Sequence, residues 1–335
     1  MGIYPTQKHH RRTSFMRYVT VAELSKMIRQ NLWKIPHDID LVVGIPRSGM
    51  LPASMIALFL NTQLTDIDSF IEGKMFSNGL SRRDYIRTCT DIRKVLIVDD
   101  SISTGRALNN AKLKLEKVQN KNYEFLYIAA IASSFGASLV DACFEIVDDD
   151  RVFEWNLFHH AIITDACVDI DGVLCCNPEI DDDGEKYLSF LSSAHPLFTP
   201  SPKIDTLISC RLEKYRTITE EWMKENSISY KKLVLLDLPD KTSRIKWGKH
   251  GEYKGEYYKN SNCKIFIESS YNEATIIAKV SHKPVICIET NELLFTHMAT
   301  PFKKFKRRIR KHLPKTYLLL RRIFVPSYPT NRDLK

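Results

Sequence analysis

No run in this sequence is long and apolar enough to suggest a membrane-spanning helix. The first fifteen residues are polar and basic, without the apolar core of a secretory signal. The eight cysteines (Cys89, Cys143, Cys167, Cys175, Cys176, Cys210, Cys263, Cys287) are scattered, several of them inside apolar runs. They show neither zinc-ligand spacing nor a disulfide framework, so a reducing, cytoplasmic setting is expected. Acidic residues are scarce in one place only. Residues 301–335 hold twelve Lys and Arg against a single Asp, a local charge of +11, while the whole chain carries +9. The first 300 residues therefore sum to −2, and the basicity belongs to a tail and not to the folded body. At 335 residues with 44% hydrophobic side chains, the chain can form two domains, each with its own core.

What is present is organised around residues 95–108, V-L-I-V-D-D-S-I-S-T-G-R-A-L. The apolar run predicts a buried parallel strand with Asp99 and Asp100 at its end. A short Ser/Thr/Gly loop and a helix from Arg106 to about Val118 follow. Backbone N–H groups at such a helix start attract phosphate, whereas the two carboxylates suit hydroxyl groups or a cation. A phosphorylated sugar meets both demands, with hydroxyls on Asp99 and Asp100 and its phosphate on Ser101, Ile102, Ser103, Thr104, Gly105 and Arg106. Upstream, residues 40–43 predict another buried strand, leading into G-I-P-R-S-G at 44–49 and an apolar helix over 51–60. The glycine amides and Arg47 of that loop suit a diphosphate.

An acidic strand end followed by a turn and a helix is common, but D-D-x-x-x-T-G after an apolar strand is a longer pattern. It resembles the motif of type I phosphoribosyltransferases that binds 5-phosphoribosyl 1-diphosphate (PRPP). The resemblance implies an α/β domain over residues 1–160, Mg²⁺-PRPP as donor and transfer of a 5-phosphoribosyl group with loss of pyrophosphate. It makes Arg47, Ser48 and Gly49 the pyrophosphate contacts. Two positions depart from it: Ser103 stands where purine-salvage enzymes carry a base-contacting Asp, and Ala107 replaces a frequent phosphate-binding Thr. The polar stretch 71–90, with Arg82, Arg83 and Arg87, falls where these enzymes carry a mobile hood, although a solvated hairpin explains it equally well. Trp155, in an aromatic cluster at the domain end, is a candidate acceptor contact.

A second chemistry begins at residues 166–174, A-C-V-D-I-D-G-V-L. Two carboxylates two positions apart at a strand end can divide labour, one attacking phosphorus and the other moving a proton. A calcium loop or a sugar-nucleotide metal site would read the same way. Further along come a strand over 206–211 that carries Ser209, a polar helical stretch over 252–259 with Lys254, and an apolar strand over 264–267 that leads into Glu268-Ser269. Together these resemble haloacid-dehalogenase-like phosphatases. The resemblance implies a Rossmann-like domain over residues 161–298 with little or no cap. In it Asp169 would be the nucleophile and Asp171 the acid/base. Ser209 and Lys254 would hold the phosphoryl oxygens, with Mg²⁺ on Asp169, Asp171 and Glu268. Glu268-Ser269 departs from the usual Asp pair.

Residues 299–335 form a basic, amphipathic tail suited to an anionic membrane surface, and nucleic acid would also attract it. The whole chain resembles bacterial proteins that join a glycan-directed phosphoribosyltransferase to such a phosphatase in capsule or O-antigen synthesis. That implies a bifunctional enzyme that puts ribofuranose on a polysaccharide or lipid-linked acceptor at the inner face of the cytoplasmic membrane, with Mg²⁺ at both sites and a homo-oligomer open. Two other readings stand: nucleobase phosphoribosyl transfer coupled to a nucleotide phosphatase, and a PRPP-sensing regulator.

Overall fold

The computed structural model describes residues 16–76, 92–118, 123–179 and 183–295. The basic leader, the tail and most of the 71–90 stretch, including Arg82, Arg83 and Arg87, lie outside the described residues. The chain divides into two compact units, Met1–His160 and Ala161–Lys335. Among the described residues no helix is long and apolar enough to cross a membrane.

In the first unit, β1 (Arg17–Val19) precedes α1 (Val21–Asn31), β2 (Leu41–Gly44), α2 (Met50–Leu60), β3 (Gln63–Asp66) and α3 (Ile67–Ile71). Next come β4 (Lys94–Ile102), α4 (Arg106–Leu115), β5 (Glu124–Ala132), α5 (Ser134–Ala137), β6 (Ala142–Ile146) and β7 (Arg151–Phe153). Thr20 starts α1 with a capping box, its hydroxyl taking the Glu23 N–H while the Glu23 carboxylate takes the Thr20 N–H. A parallel sheet runs β3-β2-β4-β5-β6, and β1 pairs with β7 in a separate two-stranded ribbon.

Alternation along the strands builds two cores. Val42, Leu96, Val98 and Ala130 pack with Leu24, Met27 and Ile28 of α1 and Ala53 and Ile56 of α2. Leu41, Val43, Val95, Ile97 and Ala129 pack with Phe70 of α3 and Leu108, Ala111 and Leu115 of α4. Burial on both faces explains why the strands read as continuous apolar runs. The chain steps outward from β2 to β3, then returns to the other side of β2 at β4. Ligands of open α/β sheets bind beyond the carboxyl ends of the strands at such a reversal. Here those ends are Gly44 and Asp99–Ile102.

The second unit holds β8 (Ala166–Val168), α6 (Glu185–Ser193), β9 (Ile204–Leu212), α7 (Arg216–Glu225), β10 (Tyr230–Leu236) and α8 (Lys241–Trp247). It continues with α9 (His250–Asn260), β11 (Ile265–Glu268), α10 (Tyr271–Ser281), β12 (Val285–Cys287) and β13 (Glu292–Leu294). Its sheet runs β10-β9-β8-β11-β12-β13, parallel except for β13. This is a doubly wound order with the reversal between β8 and β11. Cys167, Ile208, Phe266 and Val285 pack under Tyr258 of α9 and Ile277 of α10.

The differences from expectation are local. The helix after the Asp pair ends at Leu115 and not near Val118. The strand through Ser209 extends to Leu212, and a 3₁₀ turn, Glu213–Tyr215, separates it from α7.

Candidate active sites

At the first reversal two loops meet. The Ile45 N–H donates to the Val98 carbonyl at 2.9 Å, which lays the 45–49 loop along the end of β4. A Cβ on Gly49 would stand 2.4 Å from the Ile45 oxygen and 3.0 Å from Asp99 Oδ1, so only glycine permits this approach. Arg47 is exposed beside it, and the Arg47 Nη2–H donates to Asn156 Oδ1 at 2.5 Å. Beyond β4, Gly105 takes φ +73° and begins α4, with Ser103, Thr104 and Arg106 exposed around the helix start. A helix start, hydroxyls and a guanidinium are groups whose chemistry suits an anion.

Ile102 differs from its neighbours. Its side chain is buried in the core, and its carbonyl accepts the Ser133 N–H at 2.9 Å and the Arg151 Nη1–H at 3.3 Å. Ile102 is also in register with Ala132 of β5, so its backbone belongs to the sheet ladder and the residue serves the core, not the phosphate expected there.

Asp99 and Asp100 are both buried. Asp99 Oδ1 accepts the Asp100 N–H at 2.9 Å, and Asp100 Oδ2 accepts the Trp155 indole N–H at 2.8 Å. Burial, then the neighbouring Asp100 charge, pushes Asp99 up to about 8. The folded state thus holds a proton that the unfolded chain releases near pH 4, and this contribution to stability declines as pH rises from about 4 to about 8. Asp99→Asn, which cannot ionise, is expected to melt higher than the native protein at pH 8, by roughly 5 °C, with the difference closing towards pH 4. Melting curves across that range check it, and a difference independent of pH would show that Asp99 titrates normally.

At the second reversal, a cavity of about 570 Å³ is lined by Asp169, Asp171, Ser209, Arg211, Arg244, His250, Lys254, Glu268 and Glu273, among others. Asp169 follows β8 and Glu268 ends β11, so the two strands flanking the reversal deliver both carboxylates. Lys254, from α9, reaches between them. Its buried ammonium donates to Asp169 Oδ2 at 2.9 Å, Glu268 Oε2 at 2.9 Å and Glu273 Oε2 at 2.8 Å. Burial works against the charged ammonium, but the three carboxylates outweigh it and hold Lys254 protonated well above its usual range. Burial and the Glu268 charge push Asp169 well above the carboxylate range in spite of Lys254. Burial also favours the acid form of Glu273, but His250 and Lys254 prevail and hold it down to about 2.

Asp171 is turned to a different cation. The Arg211 Nη2–H and Nε–H donate to its carboxylate at 2.7 and 3.0 Å, and Arg211 is almost wholly buried. The Arg211 backbone N–H in turn donates to Ser209 Oγ at 3.2 Å, which ties Ser209 to the same turn. The Ser269 Oγ–H bonds the Asp171 carbonyl at 3.0 Å. Gly172, at φ +76°, makes room, since a Cβ there would lie 2.6 Å from Ser269 Cβ.

Asp169, Asp171, Ser209, Lys254 and Glu268 therefore line one cavity. The expected metal set does not converge as three ligands, and among the described residues no group of three His, Cys, Asp or Glu is arranged to hold a metal. The reason is that Lys254 lies between Asp169 and Glu268, and Arg211 draws Asp171 aside. Lys254 is itself engaged by carboxylates. Even so, three carboxylates face one ammonium, and Asp169 takes up a proton readily. The cluster accepts further positive charge, as a site for Mg²⁺ at Asp169 and Glu268 requires.

Sequence reading assigned no role to Arg211, Arg244, His250 or Glu273. Arg211 carried a signal, a cation two positions after Ser209 at a strand end, whereas the other three become neighbours only through α8, α9 and α10. Trp155, expected to meet the acceptor, is bonded to Asp100.

Comparison with known proteins bears on the first unit. The family model for the phosphoribosyl transferase domain matches residues 17–161. Among solved structures, purine phosphoribosyltransferase from Pyrococcus horikoshii Ot3 is similar at 18% identity and a TM-score of 0.29, covering 42% of this chain and 93% of that one. Helicobacter pylori xanthine-guanine-hypoxanthine phosphoribosyltransferase is similar at 14% identity and a TM-score of 0.31, covering 43% of this chain and 94% of that one. Adenine phosphoribosyltransferase from Saccharomyces cerevisiae is similar at 19% identity and a TM-score of 0.24, covering 40% of this chain and 77% of that one. No curated protein matches the chain. The N-terminal part of this protein is a phosphoribosyltransferase-type α/β domain. Its sheet is parallel, and Asp99 and Asp100 lie near the end of β4.

Proposed function

We propose that this chain is a bifunctional ribofuranosylating enzyme. The first unit transfers 5-phosphoribosyl from Mg²⁺-PRPP to a sugar hydroxyl of a polysaccharide or lipid-linked acceptor, releasing pyrophosphate. The second unit then removes the 5-phosphate. The observation that carries this reading is the pairing of sites on one chain: a donor site at the sheet reversal of the first unit and, in the second, a carboxylate–lysine cavity at its own reversal.

At the donor site, Arg47, Ser48 and Gly49 receive the diphosphate. Asp99 and Asp100 hold the ribose hydroxyls, and the Ser101–Arg106 loop takes the 5-phosphate. Water-free closure favours departure of pyrophosphate from an oxocarbenium-like carbon. In the second unit, an Asp169 carboxylate oxygen attacks the phosphorus. The ribose oxygen leaves with a proton from Asp171, which the Arg211 fork orients. Asp171 then takes a proton from the water that hydrolyses the aspartyl-phosphate. Lys254 and Ser209 steady the phosphoryl oxygens. Mg²⁺, held by Asp169 and Glu268, would offset the charge brought together there.

For nucleotide salvage the second step would destroy the product, whereas for a glycan it makes ribosylation irreversible. The tail, rich in Lys and Arg, suits the anionic inner face of the cytoplasmic membrane, where lipid-linked glycans are built. The test is mass spectrometry of products after incubation with Mg²⁺, PRPP and either a lipid-linked glycan or a nucleobase mixture. A glycan heavier by one pentose supports the reading. A nucleoside or nucleotide would move the protein to base metabolism. Tight PRPP binding without pyrophosphate release would favour a sensor.

A further inference from the structure

The short 3₁₀ segment Glu154–His159, just after β7, touches two separate parts of the donor site. Trp155 donates its indole N–H to Asp100 Oδ2 at 2.8 Å, and the next residue, Asn156, accepts from Arg47 Nη2 at 2.5 Å. Asp100 lies near the end of β4 and Arg47 in the loop after β2, so two consecutive residues hold side chains from the two strand ends that flank the sheet reversal.

The segment is itself firmly held. The Trp155 ring stacks on Phe153 with centroids 4.9 Å apart and planes 17° apart. Phe153 is buried in the core and its strand is paired to β1. The Glu154 carboxylate accepts the Val21 N–H at the start of α1, at 2.7 Å. A segment anchored at three points can fix the groups that it bonds.

We propose that Trp155 and Asn156 are positioning residues for donor binding, Trp155 fixing the Asp100 carboxylate for the ribose and Asn156 fixing the Arg47 guanidinium for the diphosphate. The inference rests on the PRPP reading of this site and adds a division of labour to it. A carboxylate held by one N–H keeps its remaining lone pairs for sugar hydroxyls, and a guanidinium held by one of its five N–H groups keeps the rest for phosphate oxygens. Neither residue touches the reacting carbon in this scheme. Both act by removing freedom that the ligand would otherwise have to restrict.

The test is calorimetric titration of the full-length protein with Mg²⁺-PRPP and, separately, with Mg²⁺-pyrophosphate, which lacks the ribose. Trp155→Phe keeps the stacked ring and deletes only the N–H. It is expected to weaken PRPP roughly tenfold, on the scale of one hydrogen bond to a charged group, and to leave pyrophosphate unchanged. Asn156→Ala is expected to weaken both ligands, each by about tenfold, because both carry the diphosphate. A merely structural role would lower the affinity for both ligands in both variants, and that result overturns the proposal. So does unchanged or tighter binding in either variant where a loss is expected. If the unaltered protein binds neither ligand, the donor-site reading fails and the positioning roles fall with it. If it binds both but the variants do not separate them, only the positioning roles fall.

Discussion

Asp169→Asn protein, given Mg²⁺, PRPP and an acceptor, is expected to accumulate the 5-phosphorylated ribosyl product that the native protein turns over. The argument is chemical. An amide cannot attack phosphorus as a carboxylate does, and removing an enzyme nucleophile costs on the order of 10⁴-fold or more in rate. Asn keeps the oxygen that accepts the Ile170 N–H at 2.9 Å, but its N–H₂ replaces the oxygen that accepts from Lys254 at 2.9 Å, so a melting curve showing the variant folded accompanies the product analysis. Asp100→Asn should do the reverse. Losing the charge proposed to receive the ribose hydroxyls is expected to slow transfer at least about 100-fold, while hydrolysis of a supplied phosphoribosyl ester continues. The two proteins mixed together should restore the complete product. Loss of both steps in each variant would mean that the two sites do not act separately.

Lys254→Met is expected to be the most damaging single change to stability. The ammonium is about 4% exposed and bonds three carboxylates, of which Asp169 and Glu268 are 6% and 1% exposed. Removing one member of a buried ion pair costs about 3–5 kcal/mol, because the remaining charges lie in a medium that solvates them poorly. Here the change leaves three like charges together, and the variant should be less stable at pH 8 than at pH 5, where protons can neutralise them. In the native protein Glu273 works in the opposite sense. Its pKa is held down to about 2, so its contribution is present above its ordinary value and is lost as acid approaches pH 2. Adding Asp169→Asn to Lys254→Met should recover part of the loss by removing one of the stranded charges. Chemical denaturation of the single and double variants at both pH values checks this. Additive losses would show that Lys254 and Asp169 are not coupled.

Several strands were legible because burial on both faces leaves continuous apolar runs, as in residues 95–98, 166–168 and 265–267. β10 escaped notice for the converse reason. It lies at the sheet edge, where Lys231 and Lys232 are exposed and break the apolar pattern. β13 is three half-buried residues that run antiparallel to β12, too short for any periodicity to appear. The Asp99-Asp100 and Asp169-x-Asp171 motifs were readable since the first lies within the end of β4 and the second follows directly on β8. Trp155 had no such local signal, and an aromatic residue near a domain end gives no hint of the carboxylate its indole will meet.

Local sequence was enough to mark each candidate site, because a strand, a turn and a helix start are adjacent in the chain and their chemistry is set by residues a few positions apart. It could not say how the charges would be shared. Lys254 is 85 residues from Asp169, and Trp155 is 55 from Asp100. Which carboxylate keeps a proton, which is drawn to Arg211 and which is held for substrate depends on distances of about 3 Å between side chains that folding brings out of water together. Coulomb energies rise steeply at such separations and in such burial, so packing, not order along the chain, sets the electrostatics of both sites.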